Sequence, residues 1–153
     1  MNWWNELAVL GQIGIAALLG GVIGLERELA RKPAGLRTHM LVAASAALMV
    51  TLGTILVRIF PDHPGLRIDP IRIIEAITVG VSFLGAGTII QLREQERVEG
   101  LTTAASLLLT AGVGIAVALQ QHVLAAGVTL LILIINWLLR YFERRLVERR
   151  AES

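Results

Sequence analysis

Five apolar runs divide this chain. Leu7–Leu25, Met40–Val57, Ala76–Leu92, Leu101–Leu119 and Val123–Leu139 contain no charged residue. Each approaches or reaches the roughly 20 mostly apolar residues that a helix needs to cross a bilayer's hydrocarbon. Backbone placed in hydrocarbon must satisfy its own hydrogen bonds. The pattern therefore predicts an all-α, polytopic membrane protein with five transmembrane helices and short connections. The connection FPDHPGLRIDP is rich in Pro, Gly and Asp and reads as loop, with Pro70 near the start of the third helix. In LLRYFERRLVERR, Leu138, Leu139, Phe142 and Leu146 keep helical spacing. The last helix is predicted to run on past the membrane, its basic residues near lipid headgroups.

Composition agrees with the runs. The chain has 153 residues, enough for a single domain over 1–153; 55% are apolar and 17% charged, with a mean hydropathy of +0.69. A soluble domain of this size needs a more polar surface. The start MNWWNE has no Lys or Arg before the apolar run, unlike a cleaved signal peptide. Trp3 and Trp4 read as interfacial anchors instead. There is no cysteine, so disulfides and thiolate metal sites are excluded. A sequence pI near 9.9 raises nucleic acid as a partner, but positive charge in a membrane protein serves topology, and no nucleic-acid partner is expected.

Lys and Arg favour the cytoplasmic side. Arg27, Arg31, Lys32 and Arg37, then Arg93 and Arg97, then Arg140, Arg144, Arg145, Arg149 and Arg150 fall on one side, giving eleven; Arg58, Arg67 and Arg72 make three on the other. The split predicts an N-terminus outside and a C-terminus in the cytoplasm. Arg31 and Lys32 need no role beyond this one.

The orientation gathers the unusual residues. GLERE closes the first helix, AGLRTH opens the second, GVSFLGAGTI covers the inner half of the third, and EGLTTAAS opens the fourth, all at one membrane level. Gly20, Gly24 and Glu28 follow one another at steps of four, and small residues at that spacing let helices approach closely. Gly85 and Gly87, inside the third helix, point to a bend or a close backbone contact, because glycine costs about 1 kcal/mol against alanine there. Glu26 lies about 200° round the helix from Glu28, so one carboxylate is inward and the other near solvent or Arg. Glu28 is either part of a site or a surface ion pair with Arg31 or Lys32.

Two polar stripes accompany them: Glu75, Thr78, Ser82 and Gly85 on the third helix, and Thr103, Ser106, Thr110 and Gly114 on the fourth. Such stripes face protein or water rather than lipid. Glu75 is balanced by Arg72 or belongs to a path. Arg37 and Thr38, and Thr102 and Thr103, sit at helix N-termini, where unpaired amides favour an anion; capping by Thr is the competing account, and a cation site around Glu26 and Glu28 is equally conceivable. GVSFLGAGT has Ala86 where a phosphate loop needs Lys, so nucleotide binding is rejected. His39, His63 and His122 show no metal-ligand spacing, leaving any metal unknown and no cofactor expected. Asn136 should hydrogen-bond between helices. No nucleophile–base pair is present, so an enzyme is not expected. GLRTHML at Gly35 and GLTTAAS at Gly100, with further matches at offsets of 65 or 66 residues, indicate two duplicated hairpins in the same orientation.

GGVIGLERE, KPAGLRTHMLV, DPIRI, GVSFLGAGTII and VEGLTTAASL resemble, in this order, the membrane domain of the MgtC/SapB family. The resemblance covers about Gly20 to Thr110. It implies a multi-pass protein of the bacterial inner membrane, associated with growth in low magnesium and, in pathogens, with survival inside host cells. Virulence members restrain the ATP synthase and affect phosphate uptake. They carry a soluble C-terminal domain; this sequence ends at Ser153, so a membrane domain alone is expected. Carried over by motif, the functional positions are Glu26, Arg27, Glu28, Arg37, Thr38, Gly85, Gly87, Thr102 and Thr103. Together these readings give a homodimer in the lipid bilayer that regulates a membrane-protein partner in magnesium, phosphate or proton balance. The alternative is a small ion or solute transporter or channel built from the same stripes.

The topology is open to a direct check, because the chain has no native cysteine. Single cysteines at Asp62 and Ser153 should react with impermeant thiol reagents from outside and inside the cell, respectively. Labelling of position 62 from the cytoplasm would overturn the orientation.

Overall fold

The computed structural model describes residues 3–60, 69–91 and 100–151, with side chains described over 3–60, 69–89 and 100–141. Five helices follow in order: α1, Trp3–Leu29; α2, Leu36–Ile59; α3, Pro70–Gln91; α4, Leu101–Ala118; α5, His122–Ala151. All five are long and apolar enough to cross a membrane. The fifth continues well beyond its apolar run, and the third begins at Pro70. Proline suits a first helical position because its missing N–H has no partner there anyway. Asp69 Oδ1 accepts the Ile71 N–H at 2.9 Å and caps that start. Trp3 and Trp4 stack at one end of the bundle, Trp137 and Tyr141 at the other, as two interfacial belts require.

The termini of α1 and α4 share one device. Lys32 N–H reaches the Arg27 carbonyl and Arg31 N–H the Glu28 carbonyl; Gln121 and Gln120 repeat the pattern on Ala116 and Val117. Both are Schellman turns, with Arg31 and Gln120 holding the left-handed position that glycine usually takes. Beyond the first turn, Glu28 Oε2 accepts the Leu36 N–H at 2.8 Å. The last turn of α1 thus caps the first turn of α2, whose own N-cap, Gly35, offers no side chain.

Helix α4 sits centrally, touching every other helix, and is the most buried span; α3 is the least. The tightest packing is of backbone on backbone. A Cβ at Gly20 would lie 2.5 Å from the His39 carbonyl oxygen and 2.8 Å from Ala43 Cβ; one at Gly24 would lie 2.8 Å from the Gly35 carbonyl oxygen. From the other side, a Cβ at Gly114 would collide with the Ala43 carbonyl. The Gly20–Gly24 face is therefore filled within the chain by α2. Gly85 packs on Ala104 of α4, with a would-be Cβ 3.0 Å from the alanine's. Gly87, read as a packing position, meets nothing within 4 Å; it projects about 200° away from Gly85.

The two hairpins share a register. Gly20 meets His39, and Gly85 meets Ala104, 65 residues later in both cases, while Gly35 and Gly100 are the N-caps of α2 and α4. The stripes fare differently. Thr103, Ser106, Thr110 and Gly114 are all buried. On α3 the inward positions are Ile73, against Gly53, then Ile77, Val81 and Gly85. Of the other stripe, Glu75 and Ser82 face away from the remaining helices, and the Thr78 hydroxyl donates to its own Ile74 carbonyl. An apolar stripe at steps of four outcompeted the polar one for the interior.

The glycines differ measurably in consequence. Gly20→Ala should lower the unfolding midpoint of the detergent-solubilised chain, by about 1–3 kcal/mol of overpacking. Gly87→Ala should leave it unchanged or raise it by up to about 1 kcal/mol. Glu28→Ala, which removes the cap on α2, should cost about 1 kcal/mol.

Candidate functional site: a polar seam between α1, α2, α4 and α5

Where α1 ends and α2 and α4 begin, polar side chains penetrate the interior. Arg27 is on the last turn of α1, yet is only 3% exposed. Its Nη2 approaches Thr102 Oγ1 on α4 at 3.5 Å, the outer limit of a hydrogen bond, and its Nε has no partner. The reason is positional. Gly20 and Gly24 draw α1 onto α2, and α4 packs across both, so the guanidinium one turn on cannot swing clear. One residue along α4, Thr103 is fully buried, and its hydroxyl is also unpartnered among the described residues.

His39 lies one turn into α2 and is fully buried. Nδ1 is 3.0 Å from the Gly35 carbonyl, and Nε2 is 3.2 Å from Ser106 Oγ on α4. A carbonyl only accepts, so Nδ1 carries a proton. With the ring neutral, Nε2 accepts from the Ser106 hydroxyl, which then cannot donate to the Thr103 carbonyl 2.9 Å away. The two arrangements of that hydroxyl exclude each other unless the ring is doubly protonated.

Glu26 turns the other way, towards α5. Asn136 Nδ2 donates to its Oε2 at 2.9 Å, and Arg140 pairs with its Oε1. Asn136 thus makes the interhelical bond expected of a lone polar residue in a span. No ion pair joins Glu28 to Arg31 or Lys32 among the described residues; its carboxylate serves the backbone of α2 instead.

The predicted residues separate into three places. Arg27 and Thr102 come together with Asn136 and Arg140, the partners of Glu26, while Thr103 is buried in α4 and Glu28 is on the adjoining turn. Arg37 and Thr38 are exposed and lie apart, at a mostly apolar groove of about 410 Å³ between α2 and α3 that runs past Leu41, Ser45 and Met49 to Gly80 and Leu84. Glu75 lies near the opposite end, exposed, and makes no ion pair with Arg72 among the described residues. His39 and Arg140 were not singled out as site residues by sequence: the first is a lone histidine without ligand spacing, the second one of many basic residues counted for topology. A histidine four residues after a helix-opening glycine was the one local signal. Among the described residues no group of three His, Asp or Glu side chains could hold a metal ion.

The model of the MgtC family matches residues 13–145. Protein SapB of Bacillus subtilis (strain 168) is 38% identical over 116 residues, covering 76% of this chain and 50% of that protein. Protein MgtC of Salmonella typhimurium (strain LT2) is 42% identical over 131 residues, covering 86% and 52%. YhiD of Escherichia coli (strain K12), provisionally named a magnesium transporter, is 40% identical over 105 residues, covering 67% and 47%. The chain spans about half the length of these relatives. No solved structure matches it significantly. A match over most of the chain, with relatives at about 40% identity, establishes that this five-helix protein belongs to the MgtC/SapB family.

Proposed function

We propose that this chain is a regulator in the bacterial inner membrane, acting on a membrane-protein partner in magnesium, phosphate or proton homeostasis. The observation that carries this reading is the closed interior. Gly20 and Gly114 bring the backbones of α1 and α4 against His39 and Ala43 of α2 and close the interface at that level, so that the cavity of about 620 Å³ between α1 and α2 beside Glu6, Leu48 and Arg58 ends there. The available features are peripheral instead. The groove beside Arg37 and Thr38 opens between α2 and α3, and Val79, Ser82 and Phe83 of α3 are exposed. A helix in lipid gains nothing from apolar exposure alone, whereas small and polar side chains support association with another helix. The link to magnesium rests on the family resemblance and on YhiD's provisional name. The N-terminus lies outside and the C-terminus in the cytoplasm.

The second reading is transport by a homo-oligomer. Glu75 favours it: an acid on an exposed face of a membrane helix, without an ion-pair partner among the described residues, is costly unless another surface or water receives it. A homodimer joined along α3 would place two such acids at one interface.

Reconstitution separates the two. Under regulation, proteoliposomes of the full chain show no more Mg²⁺ or proton flux than protein-free liposomes, and a photo-crosslinker at Phe83 yields one defined heteromeric product in native membranes. Flux above the protein-free level that disappears in Glu75→Gln would overturn regulation in favour of transport.

A further inference from the structure

The structure contains a pocket that neither reading uses. It opens at the edge of the seam, where the end of α1, the start of α4 and α5 meet, with a volume of about 320 Å³. Arg27, Arg31, Lys32 and Arg140 supply four cations to its lining, and Thr102 and Asn136 add a hydroxyl and an amide. Charge bookkeeping narrows what it can hold. Glu26 is paired with Arg140 and hydrogen-bonded by Asn136, and Glu28 is engaged by the α2 backbone. Among the described residues, that leaves Arg27, Arg31 and Lys32 without an ion pair.

Arg27 makes the point sharpest. It is 3% exposed and lines the pocket, and among the described residues its Nε is unpartnered and its one side-chain hydrogen bond is a long one to Thr102. A buried charge needs a counter-charge or strong hydrogen bonds, since desolvation otherwise disfavours it. Thr102 belongs to the first turn of α4, where the helix presents free amides and its N-cap Gly100 provides no side chain to satisfy them. Arg31 reaches the pocket from a left-handed backbone position that glycine would occupy more readily.

We propose that this pocket binds a phosphoryl group of net negative charge, with the Arg27 guanidinium as its buried anchor and Arg31, Lys32 and the start of α4 completing the cradle. Guanidinium groups suit phosphate because their N–H fork matches its oxygens. Exposed Leu29 and Leu139 flank the site, so the group arrives either on an anionic lipid headgroup, with its chains along those leucines, or as free phosphate. The proposal stands whether the chain regulates or transports.

The test uses the full chain in nanodiscs. Native mass spectrometry of protein released from mixed phosphatidylglycerol and phosphatidylcholine discs reports the lipid arm. Thermal unfolding in phosphatidylcholine discs, with inorganic phosphate against chloride at equal ionic strength, reports the free-anion arm. Wild-type protein should show a clear preference in at least one arm, and the double variant Arg31→Gln/Lys32→Gln should weaken it about tenfold, as losing charged hydrogen-bond partners does. Arg27→Gln should abolish it; if that variant does not fold, the double variant decides alone, because Arg31 and Lys32 are exposed. Arg58→Gln, at the far end of the bundle, should retain it. A response in the lipid arm alone identifies a headgroup, and one in the phosphate arm alone a free anion. No preference in either arm, or a preference equal in wild type and double variant, overturns the proposal.

Discussion

The architecture depends on how closely two helices approach a third. Apolar burial does not drive helices together in lipid, because the surrounding chains are as apolar as leucine; close packing and interhelical hydrogen bonds do. Here α2 is the surface approached. Gly20 and Gly24 seat α1 on His39, Ala43 and Gly35, and Gly114 seats α4 on the Ala43 carbonyl from the opposite side. Two polar features of the interior follow from that approach. His39 and Ser106 are within hydrogen-bonding reach because their backbones are close, and Arg27 is enclosed because α1 cannot tilt away from α2 without losing both glycine contacts.

This division of labour explains why α3 behaves differently. Its contacts are Ile73 on the backbone of Gly53, Ile77 and Val81 in the apolar cluster with Val42, Ala46, Leu107 and Ala111, and one small-residue contact at Gly85, and a groove opens between it and α2. Its helix is well formed, but its burial is the lowest of the five. A helix held this way leaves one side free for another surface without disturbing the core.

Much of this was legible in the sequence, for reasons that can be named. Uncharged runs of membrane-spanning length give the helices, since length and charge are local properties. Pro70 gives a helix start, and the buried α4 stripe was visible as a periodicity. The repeat was readable from Gly35 and Gly100, and the Gly20–His39 and Gly85–Ala104 contacts give it a structural counterpart. What sequence could not supply was pairing. Glu26 meets Asn136 and Arg140 across more than a hundred residues, and basic residues that set topology look the same whether or not they also line a pocket. Periodicity brings out the polar face of α3, yet apolar residues of the same helix also recur at steps of four. Choosing between Glu75–Thr78–Ser82 and Ile73–Ile77–Val81 required knowing how α3 leans on α4, which is not written in α3. Gly87 shows the same limit: a glycine permits close approach, but within this chain no described neighbour makes use of it.

The repeat also shows where chemistry enters a symmetric frame. In both hairpins a glycine on the first helix presses against the second at an equivalent register. In the first hairpin that register is His39, whose ring reaches Ser106; in the second it is Ala104, whose methyl group offers only packing. The frame is therefore indifferent to polarity, and the asymmetry lies in the side chains. That asymmetry places the histidine and the buried arginine in the first hairpin, and their partners, Ser106 and Thr102, on the last helix of the second. The polar seam is accordingly a product of docking one hairpin on the other rather than of either alone. Any change that weakens the Gly114–Ala43 approach must loosen Arg27 and His39 together, although neither residue touches that glycine.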